Sequence, residues 1–209
     1  MPDLAVKHMI VGAVATNCYL AENTKTKEAL IIDPGDNALG IAKIIKSDGV
    51  TPVAVLLTHG HFDHAMAAEE VANEYGIEIY AHEAERETLE DPRINLSGMI
   101  GQTLKFHADR YVKDGEVLHL AGFDIQVFHT PGHTLGGVCY YLEEEKVLFS
   151  GDTLFCQSVG RTDFPTGSAS TLIRSIQEKL MPLSDDTEVY PGHEDMTTIG
   201  MERKYNPFL

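Results

Sequence analysis

Between residues 59 and 64 the chain reads HGHFDH, three imidazoles and a carboxylate placed where the apolar run VAVLL gives way to AMAAEEVANEYG. Imidazole nitrogen and carboxylate oxygen are the donors that zinc-type ions take, about four to an ion. In an extended segment residues i and i+2 project to the same side, so His59 and His61, just past VAVLL, both aim at one point. Asp63 and His64 stand where the next helix begins. Adjacent residues diverge, so this pair reaches toward a second point a few ångströms from the first. The pattern suits two neighbouring cations and differs from HExxH, in which two histidines share one helical face.

One short cluster cannot fill the coordination of two ions, and three further donors stand at the ends of apolar runs. They are His133 in TPGHT, Asp152 in SGDT and His193 in YPGHE, each directly after a glycine, which permits the tight backbone that presents a ligand. Taken singly, His133 and His193 are ordinary loop residues and Asp152 a turn former. Together with the cluster they make seven donors at matched strand ends, too many for coincidence. His8, His82, His107, His119 and His129 lack such surroundings and read as surface or core residues, and Asp33 in IIDPG as a turn residue near the site.

The elements that must position these donors alternate between strands and helices. The runs 6–14, 17–23 and 28–33 read as antiparallel strands, 39–49 as a helix ending at Gly49, 53–57 as a buried strand, 65–76 as a helix ending at Gly76, and 77–81 as a strand. Residues 83–110 are polar and poorly patterned, a length at which a connection is usually functional or lid-like. Strands at 116–122, 123–133, 136–144 and 146–153 follow, then a helix at 168–181 and a strand at 187–193. Two β-rich halves, each followed by helices, predict an α/β protein: a four-layered αββα sandwich in one domain spanning 1–209. LLTHGH and FHTPGH hint at an internal duplication.

Composition bounds the function. With 16 Lys plus Arg against 32 Asp plus Glu, the net charge of −16 is the reverse of a nucleic-acid binder's footprint. It would also repel anionic substrates unless something positive, such as bound metal, sits in the site. Cys18, Cys139 and Cys156 are odd in number and lie in apolar settings without CxxC spacing, so they read as reduced thiols of a cytoplasmic protein. Lys7 before MIVGAVA imitates a secretory signal, but the run is short and Asp3 spoils the leader, so this stretch reads as a strand. No apolar run approaches the ~20 residues that span a bilayer, and no membrane partner is expected. The oligomeric state stays open.

The motifs TNCYL, IIDPG, THGHFDH, TPGHT, FSGDTLF and YPGH resemble the metallo-β-lactamase fold superfamily along nearly the whole chain. The resemblance implies that His59, His61 and His133 bind a first metal and Asp63, His64 and His193 a second, with Asp152 bridging them. Dizinc members that open β-lactams commonly carry cysteine where Asp152 stands, and members acting on nucleic acids usually carry large extra domains. DTLF, GRTDFPTG and the terminal TTIGMERKYNPFL point instead to the short bacterial hydroxyacylglutathione hydrolase (glyoxalase II) branch. Two departures stand out: Glu194 and Asp195 replace the Gly-Pro that often follows the last histidine, and the helical C-terminal domain that grips glutathione in longer members is missing.

The expected reaction is hydrolysis of a small-molecule acyl compound, a thioester such as S-lactoylglutathione. Two divalent ions, zinc first and iron or manganese as alternatives, would share a water whose pKa falls to around 7. Asp63 would orient that water and accept its proton, and Arg161 in GRTDFPTG would bind a substrate carboxylate or else serve as a surface ion-pair residue. GRTDF also resembles the persulfide dioxygenases, in which one iron would be held by His59, His133 and Asp152. A lactonase would share the full ligand set. A non-enzymatic metal-binding module is the reading of another class, though no partner motif or flavin domain is visible.

Overall fold

The computed structural model describes residues 3–209. The first half runs β1 (Leu4–Val11), β2 (Thr16–Asn23), β3 (Glu28–Ile32), α1 (Ala38–Asp48), β4 (Thr51–Leu56), α2 (Phe62–Ala65), α3 (Ala68–Tyr75), β5 (Glu78–His82), α4 (Arg86–Glu90) and β6 (Arg110–Val112). The second half runs β7 (Val117–Leu120), β8 (Phe123–His129), β9 (Val138–Leu142), β10 (Val147–Gly151), β11 (Leu154–Phe155), β12 (Ser158–Val159), α5 (Ala169–Ser175), β13 (Glu188–Pro191), β14 (Thr197–Thr198) and α6 (Ile199–Tyr205). Strands β1 to β6 form one six-stranded sheet in chain order, and the second has the order β14-β13-β10-β9-β8-β7.

Alternation along the strands sorts the apolar side chains into three layers. Tyr19, Leu30, Ile32 and Leu56 of the first sheet meet Ile125, Tyr140 and Phe149 of the second between the sheets. The outer face of the first sheet buries Ile31 and Val55 against Ile41, Ile45 and Val71 of α1 and α3. The outer face of the second buries Cys139 and Leu148 against Leu172 and Ile176. Helices therefore cover both outer faces, the four-layered sandwich that the sequence predicts. Among the described residues no helix is long and apolar enough to cross a membrane.

Several elements differ from the sequence reading. β1, β2 and β3 are antiparallel as expected, but β4, β5 and β6 then add in parallel. The helix expected at 65–76 is broken: α2 is one short turn, and the Ala67 N–H leaves the helical pattern to donate to the Pro34 carbonyl at 3.0 Å. The strands expected to run to 133, 153 and 193 stop at His129, Gly151 and Pro191, which leaves the donor residues in the loops just beyond. Residues 169–180 stay helical, but the helix widens into a π-turn at Ile176–Leu180. The short strand and helix at 197–205 have no counterpart in the sequence pattern.

Candidate metal centre

His59, His61, Asp63, His64, His133, Asp152 and His193 all lie at one end of the sandwich, past the C-terminal ends of β4, β8, β10 and β13. The sheets are stitched together there. Val138 N–H donates to the Thr58 carbonyl at 2.9 Å, Tyr140 Oη to the Leu57 carbonyl at 2.9 Å, and Tyr19 Oη to the Pro191 carbonyl at 2.7 Å. These bonds fix the loop of one half against the loops of the other, so the donors meet by construction of the fold rather than by local sequence.

The donors fall into three overlapping groups: His59, His61 and His133; His59, His64 and Asp152; and Asp63, His64 and His193. His61 Nδ1 stands 3.1 Å from His59 Nε2 and 3.0 Å from His133 Nε2. Zinc with nitrogen arms of about 2.0–2.1 Å holds tetrahedral donors roughly 3.3 Å apart, so the spacing fits an ion. On the other side, Asp63 Oδ2 lies 3.4 Å from His64 Nε2 and 3.2 Å from His193 Nε2. Asp152 stands between the groups, its Oδ2 at 3.4 Å from His133 Nε2 and 3.7 Å from His193 Nε2, its Oδ1 at 3.5 Å from His64 Nε2. His61 Nε2, His64 Nε2 and Asp152 Oδ1 are buried with no hydrogen-bond partner. Buried polar atoms without partners are costly, and a cation amid this donor set would satisfy His64 and Asp152 together.

Partners behind the ring decide which nitrogen faces inward. His64 Nδ1–H donates to Asp33 Oδ2 at 2.9 Å and His133 Nδ1–H to the Arg161 carbonyl at 2.7 Å, leaving Nε2 of each for the centre. Thr58 donates its hydroxyl to Asp33 at 2.6 Å and stands 3.2 Å from His59 Nδ1, where it accepts that ring's proton. Asp33 is therefore more than a turn residue: buried in a left-handed conformation, it also accepts the Thr58 N–H at 2.7 Å and orients two imidazoles. Burial and the neighbouring imidazoles push His59 and His61 well below the usual histidine range, so both are neutral donors. Burial alone would lower His64 too, but Asp63, Asp152 and Asp33 lift it to about 10, so a cation binding at Nε2 displaces a proton.

Two supports hold the centre from behind, and the first, Glu85, has no counterpart among the sequence candidates. The buried Glu85 carboxylate accepts from Gly60 N–H at 2.9 Å, Gly136 N–H at 2.7 Å and the Thr134 hydroxyl at 3.1 Å, tying the HGH loop to the loop that carries His133. Gly192 is a place where only hydrogen fits, since a Cβ there would fall 2.2 Å from Asp152 Oδ1 and 2.7 Å from His64 Cε1. Its backbone cannot retreat, because Gly192 N–H donates to the Gly151 carbonyl at 2.8 Å and its carbonyl accepts Asn17 N–H at 2.7 Å. Gly192→Ala is expected to keep the far-ultraviolet circular dichroism while weakening divalent-metal affinity at least ~10-fold, measured by competition with a chromophoric chelator. Unchanged affinity would mean that the loop yields.

The remaining candidates sit apart from the ring of donors. Arg161 reaches the mouth of the site, where its Nε and Nη2 each donate to Asp163 at 2.7 Å and its guanidinium lies 3.9 Å over the Phe164 ring. His8 lines the same mouth, bonded to Asn17 at 2.6 Å, while His82 and His129 stack on each other at 4.1 Å and His119 pairs with Asp124 at 2.6 Å. Cys18 and Cys139 are buried, Cys156 is half-buried, and all are free thiols. The cleft above the donors has a volume of about 970 Å³. Its wall includes Leu96, Met99 and Ile100, so the 83–110 connection contributes apolar surface although it reads as polar.

Residues 11–193 match the family model described as the Metallo-beta-lactamase superfamily. The hydroxyacylglutathione hydrolase GloC of Haemophilus influenzae is 40% identical over 202 residues, covering 95% of each chain. The crystal structure of the BLEG-1 B3 metallo-beta-lactamase superposes with a TM-score of 0.94 at 43% identity over 98% of this chain and 99% of that one. TTHA1623, solved in a di-iron-bound form, superposes with a TM-score of 0.86 at 34% identity over 97% and 100%. The fold, the strand-end donors and these matches agree: the chain belongs to the metallo-beta-lactamase superfamily.

Proposed function

We propose that this chain is a two-metal hydrolase that cleaves the acyl–sulfur bond of a thioester. The observation that carries the reading is the completeness of both donor sets, His59, His61 and His133 beside Asp63, His64 and His193, with Asp152 within reach of each. A mononuclear iron site would use only two histidines and an aspartate, which leaves His61, Asp63, His64 and His193 outside it. The likeness to GloC, named a hydroxyacylglutathione hydrolase, supports the bond type.

Divalent ions held there supply Lewis-acid polarisation and a water acidic enough to attack at neutral pH. The protein's own part begins with Asp63. Burial would raise its carboxyl, but the imidazoles of His64 and His193 and the Thr16 hydroxyl hold it well below the usual carboxylate range. Thr16 donates to Asp63 Oδ2 at 2.8 Å, which fixes the ionised carboxylate at the cleft, where it would accept a hydrogen bond from the attacking water and orient it. No thiol competes as nucleophile: burial pushes Cys18 up and Cys139 up to about 11, and no cysteine is among the residues lining the cleft. The leaving thiolate needs little help, since a thiol pKa is about 8.5.

The test combines metal analysis with a substrate panel of S-lactoylglutathione, a simple thioester, a lactone, a β-lactam, and glutathione persulfide under oxygen. Two divalent ions per chain and preferential thioester hydrolysis are expected. Oxygen uptake on the persulfide by protein holding one iron would replace this reading with a dioxygenase.

A further inference from the structure

The cleft over the donors is ringed by apolar side chains that the fold leaves open to solvent. Ile10 and Val14, on the β1–β2 hairpin, are 67% and 49% exposed, and Met99 and Ile100, from the 83–110 connection, are 71% and 43% exposed. All four line the same cleft as His61, Asp63, His133, Asp152 and His193, and Phe155 and Phe164 line it as well. Exposed side chains of this size gathered from separate segments around one cavity mark a binding surface, whereas scattered ones do not. Nothing in the packing requires them there, because the three cores of the sandwich are filled by other residues.

The charges on the same wall indicate what the surface accepts. Arg161 is the only Lys or Arg among the lining residues, and Asp163 already occupies two donors of its guanidinium fork. Glu194 and Asp195 add two carboxylates at the rim, on a chain whose net charge is −16. A substrate with remote carboxylates would meet no free cation there and two like charges. An uncharged hydrocarbon chain would instead remove exposed apolar surface from water at both ends of the contact.

We propose that the substrate of this site carries an uncharged apolar acyl chain of several carbons, which lies along the collar formed by Ile10, Val14, Met99 and Ile100 while its carbonyl faces the donor cluster. The proposal rests on the reading of the chain as a thioester hydrolase. In the reaction water adds across the acyl–sulfur bond: a carbon–oxygen bond forms, the carbon–sulfur bond breaks, and the departing sulfur ends as a thiol with one of the water protons.

The test uses the full-length metal-loaded protein and the N-acetylcysteamine thioesters of acetate, butyrate, hexanoate and octanoate. From acetyl to hexanoyl, kcat/KM is expected to rise about threefold per added methylene. Met99→Asp and Ile10→Asp, both at exposed positions that the core does not use, should flatten the series and lower hexanoyl turnover at least ~10-fold. Calorimetry with inert S-methyl- and S-hexyl-N-acetylcysteamine thioethers provides a reading independent of turnover, and only the hexyl compound is expected to bind measurably. Thioester turnover without chain-length dependence, or a preference for S-lactoylglutathione over the hexanoyl thioester, would overturn the proposal and leave the hydrolase reading intact. Length-dependent thioether binding with no thioester turnover would support the collar and sink the hydrolase reading.

Discussion

Asp152→Ala is expected to lower bound divalent metal from two ions per chain to at most one, and kcat/KM by about 10³-fold or more, roughly 4 kcal/mol of transition-state stabilisation. The size follows from position. Among the described residues Asp152 is the only carboxylate whose oxygens stand near imidazoles of both donor sets, at 3.4 Å from His133, 3.5 Å from His64 and 3.7 Å from His193. On the proposed two-metal reading, its removal would take a ligand from each ion and also the negative charge that would let two cations sit side by side. The fold should survive, because Asp152 Oδ1 makes no hydrogen bond and the side chain belongs to none of the apolar cores. Elemental analysis of the purified variant, with circular dichroism as the folding control, decides the matter. Two ions retained at wild-type affinity would remove Asp152 from the bridging position.

Glu85→Ala is expected to destabilise the protein by roughly 2–4 kcal/mol, because the N–H groups of Gly60 and Gly136 are left buried without acceptors. Metal affinity should fall with it by ~10–100-fold, since Gly60 lies between His59 and His61 and its loop loses its anchor. Glu85→Gln should recover part of both losses: one amide oxygen still accepts, while the amide nitrogen faces an N–H it cannot satisfy. Burial raises the Glu85 carboxyl to about 7 from 4.5, against the pull of its donors, so the folded chain holds this proton more tightly than the unfolded one. The associated stability is fully present below about pH 4.5 and is lost as pH rises through about 7, a change of roughly 3 kcal/mol. Urea denaturation of chelator-treated protein at pH 5 and pH 8 should therefore show a steeper fall in the wild type than in Glu85→Gln. Parallel slopes would mean that Glu85 does not titrate in that window.

One part of this protein is written in consecutive residues. The i, i+2 spacing of His59 and His61 past an apolar strand needs only strand geometry to be understood. The same holds for the alternation of strand and helix patterns that demands covered sheet faces. The donors His133, Asp152 and His193 were legible for the same reason, each being a polar residue after a glycine at the end of an apolar run. The rest depends on contacts between segments far apart in the chain. Asp33 reaches His64 across 31 residues, and Glu85 reaches Gly60 and Gly136 across 25 and 51, so no local pattern distinguishes either carboxylate from a solvated one. The break between α2 and α3 was hidden because Ala67 donates to Pro34, a partner in a distant loop. Met99 and Ile100 sit in a stretch with no apolar period, and only the opposing β1–β2 hairpin turns them into one wall of a cleft. Periodicity records which face of an element is apolar. Which distant segment that face or polar group meets is settled only when the two sheets close on each other and bring their strand ends to the same place.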